Sequence, residues 1–123
     1  GIQIGPDGTF VAIVSNGWQE TKQAAQWSEW QHVALVIGQD QFCFYDNGRR
    51  ICKKPATSNN SLGGEICIAA RSGTAFYHGE IDEVAVWNAA LTSQAVQQMY
   101  WMSRGGQSYC EAAAAAAAKP KKK

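Results

Sequence analysis

Short apolar runs alternate with turn-forming residues along most of the chain. Thr9–Ser15 (TFVAIVS) and His32–Gly38 (HVALVIG) are rich in β-branched residues and are bounded by turn-formers such as Asn16-Gly17. Runs of this length and composition predict β-strands. The same pattern predicts further strands over Gln41–Tyr45, Glu65–Ala70 and Glu80–Trp87, with a loop over Pro55–Gly64. A succession of short strands predicts an all-β sandwich.

The dipeptide Asn47-Gly48 predicts a tight β-hairpin, because both central positions of such a turn need positive φ. With this turn, Asp46 faces Arg49 and Cys43 faces Cys52. Alternation from the turn places the cysteines at a non-hydrogen-bonded pair, where the Cα atoms lie about 4.5 Å apart. That separation is within the range of a disulfide, so the register predicts a Cys43–Cys52 bridge.

Two other cysteines, Cys67 and Cys110, are predicted by default to pair with each other, and a partner from another segment stays open. The alternative is that all four cysteines are reduced and act as small apolar residues, which would indicate a reducing compartment. The chain has no C-x-x-C motif, and no histidine lies near a cysteine at zinc-site spacing. A zinc site is therefore not expected.

One helix is predicted near the end of the chain. Thr92 suits the N-cap, which places Leu91 and Val96 at the two positions of a hydrophobic staple. Gly105-Gly106 is expected to end the helix. Its apolar face, formed by Val96, Met99 and Tyr100, indicates a lid over the sandwich edge, and a partner-binding helix is the alternative.

These motifs together resemble the laminin-G-like domains of the concanavalin A-like jelly-roll superfamily. The resemblance covers a W-x-H-V-A strand at Trp30–Val36, a hairpin at Phe44–Gly48, and a closing G-x-I-D-E-V strand and helix within Tyr77–Tyr100. It implies an antiparallel jelly-roll β-sandwich, with Trp30 and Trp87 in the core. It also implies that upstream strands are missing, so we expect another segment or chain to complete the sandwich.

The chain of 123 residues allows one domain, which we place at residues 1–110, followed by a low-complexity Ala/Lys tail at 111–123. Four of the 11 basic residues lie in the last five positions, after all ten carboxylates, so the body is mildly acidic and nucleic acid is not an expected partner. No apolar run is long enough to span a membrane. The tail is either a basic anchor for an acidic partner or lipid, or a solvated extension.

Catalysis is not expected. Glu80 and Asp82 resemble the start of the E-x-D-x-x-E strand of jelly-roll glycosidases, which presents paired carboxylates to a sugar. The last glutamate of that motif is replaced here by Val84 and Ala85. His32 lies in an apolar strand and is interpreted as a structural histidine whose hydrogen bonds are satisfied.

Asp82 and Glu83 have two other interpretations. A β-bulge here would restore the inward apolar face, and the carboxylates would then hold loop backbone amides. Calcium coordination is the functional alternative, although calcium needs six or more oxygen ligands and no D-x-D-x-D loop supplies them.

Trp18 and Trp27 are the candidate ligand-binding residues, since exposed tryptophans among amide side chains suit stacking on sugar rings. They could instead seal the sandwich or meet its missing half. The sequon at Asn59, read with the predicted disulfides, favours an extracellular or lumenal protein. The sequence therefore predicts a non-catalytic recognition or adhesion module for carbohydrate or protein, with a structural subunit of a larger assembly as the alternative.

Overall fold

The chain forms two three-stranded antiparallel sheets and one helix. The computed structural model describes residues 1–14, 17–54, 66–70, 73–109 and 111. The first sheet has the order β1 (Ile2–Ile4), β2 (Thr9–Val14), β3 (Gly17–Ala24), and the second has the order β4 (Val33–Ile37), β5 (Phe42–Asp46), β6 (Arg49–Lys53). Helix α1 spans Ser93–Arg104.

The predicted hairpin register is confirmed. Asn47 and Gly48 have φ values of 49° and 79°, as a two-residue turn requires. Asp46 pairs with Arg49, and Cys43 pairs with Cys52. The two cysteines form a disulfide with a Cα–Cα distance of 4.1 Å.

Strand β5 is buried on both of its faces. Phe42 packs with Ala12 and Val14 of the first sheet, and the Phe44 ring lies 5.5 Å from that of Phe10. These contacts join the two sheets. On the opposite face, Cys43 and Tyr45 pack against helix α1. The resulting order of layers is sheet, sheet and helix, with β5 in the middle layer.

Helix α1 has the ends that its sequence predicts, and it forms a lid. The Thr92 side chain accepts a hydrogen bond from Ala95 N at 3.1 Å. At the other end, Gly106 N donates to Ser103 O and Gln107 N donates to Met102 O, the pattern of a Schellman motif. The helix covers the second sheet through fully buried Val96 and partly buried Met99, and Leu91, just before the N-cap, packs against the same cluster.

The two last predicted strands do not form. The described residues 66–70 and all of Glu80–Trp87 lie outside any ladder. A strand needs a neighbour to pair its backbone groups, and no strand lies beside these segments in the described part of the chain. Positive φ at Ala69 (62°) and Glu83 (52°) also interrupts an extended course. Large apolar side chains are left exposed in this region: Ile66, Ile68, Phe76, Tyr77, Ile81, Val84, Val86 and Trp87.

Three further expectations are corrected or fall outside the described residues. Trp30 and Trp87 are 65% and 44% exposed, so neither is a core residue here, because no strand covers them. Cys67 is a free, exposed cysteine, at odds with a bond to Cys110, since its segment is not held in a sheet. Cys110, the sequon at Asn59 and residues 112–123 of the tail lie outside the described residues.

The Cys43–Cys52 bridge should contribute measurably to stability. It links residues nine positions apart, and closing a loop of that length in the unfolded chain is worth about 2.5 kcal/mol. We expect the double variant Cys43→Ala, Cys52→Ala to lose about 2–3 kcal/mol of unfolding free energy in urea. Cys67→Ala is the matched control, and its unfolding midpoint should stay unchanged. Equal midpoints for the double variant and the wild type would contradict the prediction.

Candidate functional site

A surface cavity of about 480 Å³ lies where the β3–β4 loop, the β5–β6 turn and the last turns of α1 meet. This volume is in the range of small-ligand sites. Its lining combines an indole, a phenol, an amide, a hydroxyl, a carboxylate and a guanidinium, supplied by Trp30, Tyr100, Asn47, Ser103, Glu29 and Arg104.

The β3–β4 loop is braced by one side chain, that of Gln31. Its Oε1 accepts a hydrogen bond from Gln26 N at 2.8 Å, and its Nε2 donates to Ala24 O at 3.0 Å and to Asp46 Oδ1 at 2.9 Å. The loop is thus tied to the end of β3 and to β5. Trp30 projects from this fixed loop and is 65% exposed.

The opposite wall of the cavity is set by Tyr100, which packs on the hairpin turn. A Cβ atom added at Gly48 would lie only 3.0 Å from Tyr100 Cδ1, so this close approach depends on glycine. Arg104 Nη1 donates to the Tyr100 hydroxyl at 3.2 Å, and its guanidinium lies 5.9 Å from the Tyr100 ring centroid. The turn therefore positions the phenol, and the phenol helps position the guanidinium.

His32 lies beneath Tyr100, with the two ring centroids 5.9 Å apart. Its backbone N–H donates to Asn47 Oδ1 at 2.9 Å, and its carbonyl accepts from Asn47 N at 2.8 Å. Its buried Nδ1, however, has no hydrogen-bond partner among the described residues. The expectation of a fully satisfied histidine is therefore wrong. Burial lowers the pKa of the imidazole below its usual value.

A series of ring contacts continues from His32 through Tyr109 to Trp87. The Tyr109 ring lies 6.1 Å from His32 in an edge-on arrangement and 6.0 Å from Trp87. Tyr109 N donates to Glu83 Oε2 at 2.9 Å. Burial, and secondarily the charge of Glu83, raise the pKa of the Tyr109 hydroxyl. Glu83 thus fixes the segment that carries Tyr109.

The two carboxylates considered as calcium ligands hold backbone amides. Asp82 Oδ1 accepts from Glu83 N at 2.8 Å, and Glu83 accepts from Tyr109 N. Within the described ranges, no group of three or more His, Cys, Asp or Glu side chains is placed to hold a metal ion. Glu80 and Asp82 do not share a strand face either, because their segment is not a strand.

The two tryptophans singled out from the sequence do not form one site. Trp18 lies at the start of β3, opposite Ile13, and is 52% exposed. Trp27 lies in the loop beyond the end of β3 and is 82% exposed. Most of β3, roughly 20 Å of extended chain from Trp18 to Ala24, lies between them. Trp27 shares its loop with Trp30 instead, and Trp30 was missed because the family motif marks it as a core position.

Comparison with known proteins establishes the family. A laminin-G-type model of the concanavalin A-like lectin/glucanases superfamily matches residues 1–97. The chain belongs to this superfamily, and its two packed sheets form a partial jelly-roll sandwich. A search of curated proteins finds no match.

Among solved structures, the chain matches that of an S-layer domain-containing protein (residues 221–444) from Clostridium thermocellum ATCC 27405. The sequence identity is 19% and the TM-score is 0.45, over 75% of this chain. The match spans 50% of that chain.

None of the helical segments in the described part of the chain has the length and apolar character needed to cross a membrane.

His32 should make stability depend on pH. Its pKa is lowered in the folded state, so the unfolded chain binds a proton more readily. The stability that neutral His32 contributes is fully present above the pKa of the unfolded state, about 6.5. It is lost as the pH falls from there towards the lower pKa of the folded state. We expect the urea midpoint to fall between pH 7.5 and 5.5.

The variant His32→Phe keeps a ring between Tyr100 and Tyr109 but does not titrate, and it should flatten this part of the profile. His78→Gln, at an exposed position, is the control and should keep the wild-type slope. The assignment would be wrong if His32→Phe showed the same fall as the wild type.

Proposed function

We propose that this chain is a non-catalytic extracellular recognition module that binds carbohydrate in the cavity between Trp30 and Tyr100. Membership of a superfamily that includes lectins supports the general class. The Cys43–Cys52 disulfide supports an oxidising, extracellular setting. The observation that carries the proposal is the exposed Trp30 indole beside a cavity lined by polar side chains.

The lining suits a sugar chemically. An indole face is an apolar platform on which the C–H face of a pyranose ring can stack. Sugar hydroxyls both donate and accept hydrogen bonds, and the cavity offers a carboxylate acceptor in Glu29, guanidinium donors in Arg104 and a hydroxyl in Ser103. The opposite charges of Glu29 and Arg104 balance each other. This favours a neutral, hydroxyl-rich ligand over a strongly charged one.

The same lining supports binding without hydrolysis. Glycoside hydrolysis typically uses two carboxyl groups on either side of the scissile bond. Among the described side chains that line the cavity, Glu29 is the single carboxylate. The incomplete glycosidase motif at Glu80-Ile81-Asp82 belongs to a different segment that does not line it.

Replacing Trp30 should strongly weaken carbohydrate binding. We expect wild-type protein to bind a subset of neutral glycans on an array, and Trp30→Ala to lose at least tenfold in affinity, as for a central aromatic anchor. Trp18→Ala is the matched control, because Trp18 is also exposed but lies outside the cavity. Equal losses in the two variants, or no glycan bound by the wild type, would overturn the proposal.

A second function, as a structural module completed by another segment or chain, is favoured by the surface at residues 66–87. This stretch exposes eight large apolar side chains, whereas a soluble monomer rarely leaves such a patch uncovered. Glu80–Trp87 also has a strand-like sequence but no ladder partner. An added strand would supply the missing backbone hydrogen bonds and cover Val84 and Val86.

Hydrogen exchange tests this second function. In the isolated chain, we expect the amides of residues 80–87 to exchange rapidly while those of β5 are protected, because β5 is paired on both sides and residues 80–87 lie in no ladder. In the protein purified from its natural source, the amides of 80–87 should gain at least tenfold protection if a strand covers them. Equally rapid exchange of this segment in both samples would rule out completion.

A further inference from the structure

We propose that the ligand is an oligosaccharide, and that Trp27 stacks on a second sugar unit beyond the one held in the cavity. This inference rests on the proposed function of the cavity and extends it along the β3–β4 loop. The observation behind it is that Trp27 is 82% exposed although its loop is firmly held.

The loop presents Trp27 in a fixed position. Gln26 N, immediately before Trp27, donates to Gln31 Oε1 at 2.8 Å, and the same side chain bonds to Ala24 O at 3.0 Å. One glutamine thus closes the loop across its base. A ligand that stacks on Trp27 would therefore lose little binding energy to ordering the backbone.

The same loop contains an unusual backbone conformation. Ser28 has a φ of 61°, in the left-handed region that non-glycine residues adopt rarely. Such a conformation persists where surrounding contacts hold it. Ser28 is one of six non-glycine residues with positive φ in the described part of the chain, and it sets the backbone course between the two exposed tryptophans.

The spacing of the tryptophans suits one continuous ligand. Trp27 and Trp30 are three positions apart, so their Cα atoms lie within about 11 Å of each other. Two indole platforms at this spacing can contact two units of the same sugar chain. Because the units are linked, binding the first raises the effective concentration of the second, and affinity should increase with chain length.

The chemistry around Trp27 favours a sugar over an apolar peptide. Its neighbours Gln26, Ser28 and Glu29 are all exposed and polar, so the residues beside the indole do not form an apolar groove. An apolar peptide would need a continuous apolar groove to anchor it, whereas a sugar unit needs one aromatic face and nearby hydrogen-bonding groups.

Calorimetric titration with a chain-length series tests the inference. The series is the monosaccharide and the di- to tetrasaccharides of the glycan that binds best on the array. The wild type should gain at least tenfold in affinity from the monosaccharide to the tetrasaccharide. In Trp27→Ala, the tetrasaccharide should bind no more than about twofold more tightly than the monosaccharide. Trp30→Ala should weaken the binding of both ligands, and Trp18→Ala should match the wild type. Circular dichroism and the urea midpoint check that each variant is folded.

The outcomes separate this inference from the proposed function. If the wild type binds monosaccharide and tetrasaccharide equally, the cavity binds sugar but the second unit on Trp27 is refuted. If Trp27→Ala weakens both ligands equally, Trp27 belongs to a single subsite and the inference also fails. If no saccharide binds, or if a peptide binds in a Trp27-dependent manner, both proposals are overturned.

Discussion

The rest of the structure depends on the burial of strand β5 on both faces. Phe42 and Phe44 pack towards the first sheet, while Cys43 and Tyr45 pack towards helix α1. Successive side chains of a strand point to opposite faces, so one five-residue strand joins all three layers. A one-residue slip would exchange the two sets, and the disulfide to Cys52 opposes such a slip.

Strand β5 also positions the residues of the candidate site. The turn that follows β5 places Gly48 against the Tyr100 ring and Asn47 against the backbone of His32. Asp46, the last residue of β5, accepts a hydrogen bond from Gln31, which braces the loop that carries Trp30. The walls of the cavity are therefore fixed from the end of one buried strand. The Nδ1 atom of His32 has no hydrogen-bond partner among the described residues, and its ring lies next to that of Tyr100. Protonation of His32 would therefore place a positive charge beside the Tyr100 wall of the cavity.

Features encoded by local signals were predictable from the sequence. The turn at Asn47-Gly48 set the register and the disulfide, and Thr92 and Gly105-Gly106 set the ends of α1. Features that depend on distant partners were not. Glu80–Trp87 has a strand composition, but a strand forms only beside a neighbour. Conversely, β3 (GWQETKQA) has no apolar alternation, and its pairing with β2 is what makes it a strand. The cavity was missed for the same reason, because the exposure of Trp30 depends on which strands surround it.

The two exposed family-motif tryptophans have different surroundings, and this separates the two proposed functions. Trp30 borders a polar cavity with Glu29 and Arg104, where a hydroxylated ligand can satisfy the charged groups. Trp87 lies in an apolar segment with exposed Val84 and Val86, where only an apolar cover removes surface from water. A sugar cannot replace that cover, and the described residues that line the Trp30 cavity include none of 80–87. The surfaces are thus chemically distinct, so recognition at one and completion of the sandwich at the other are compatible in a single module.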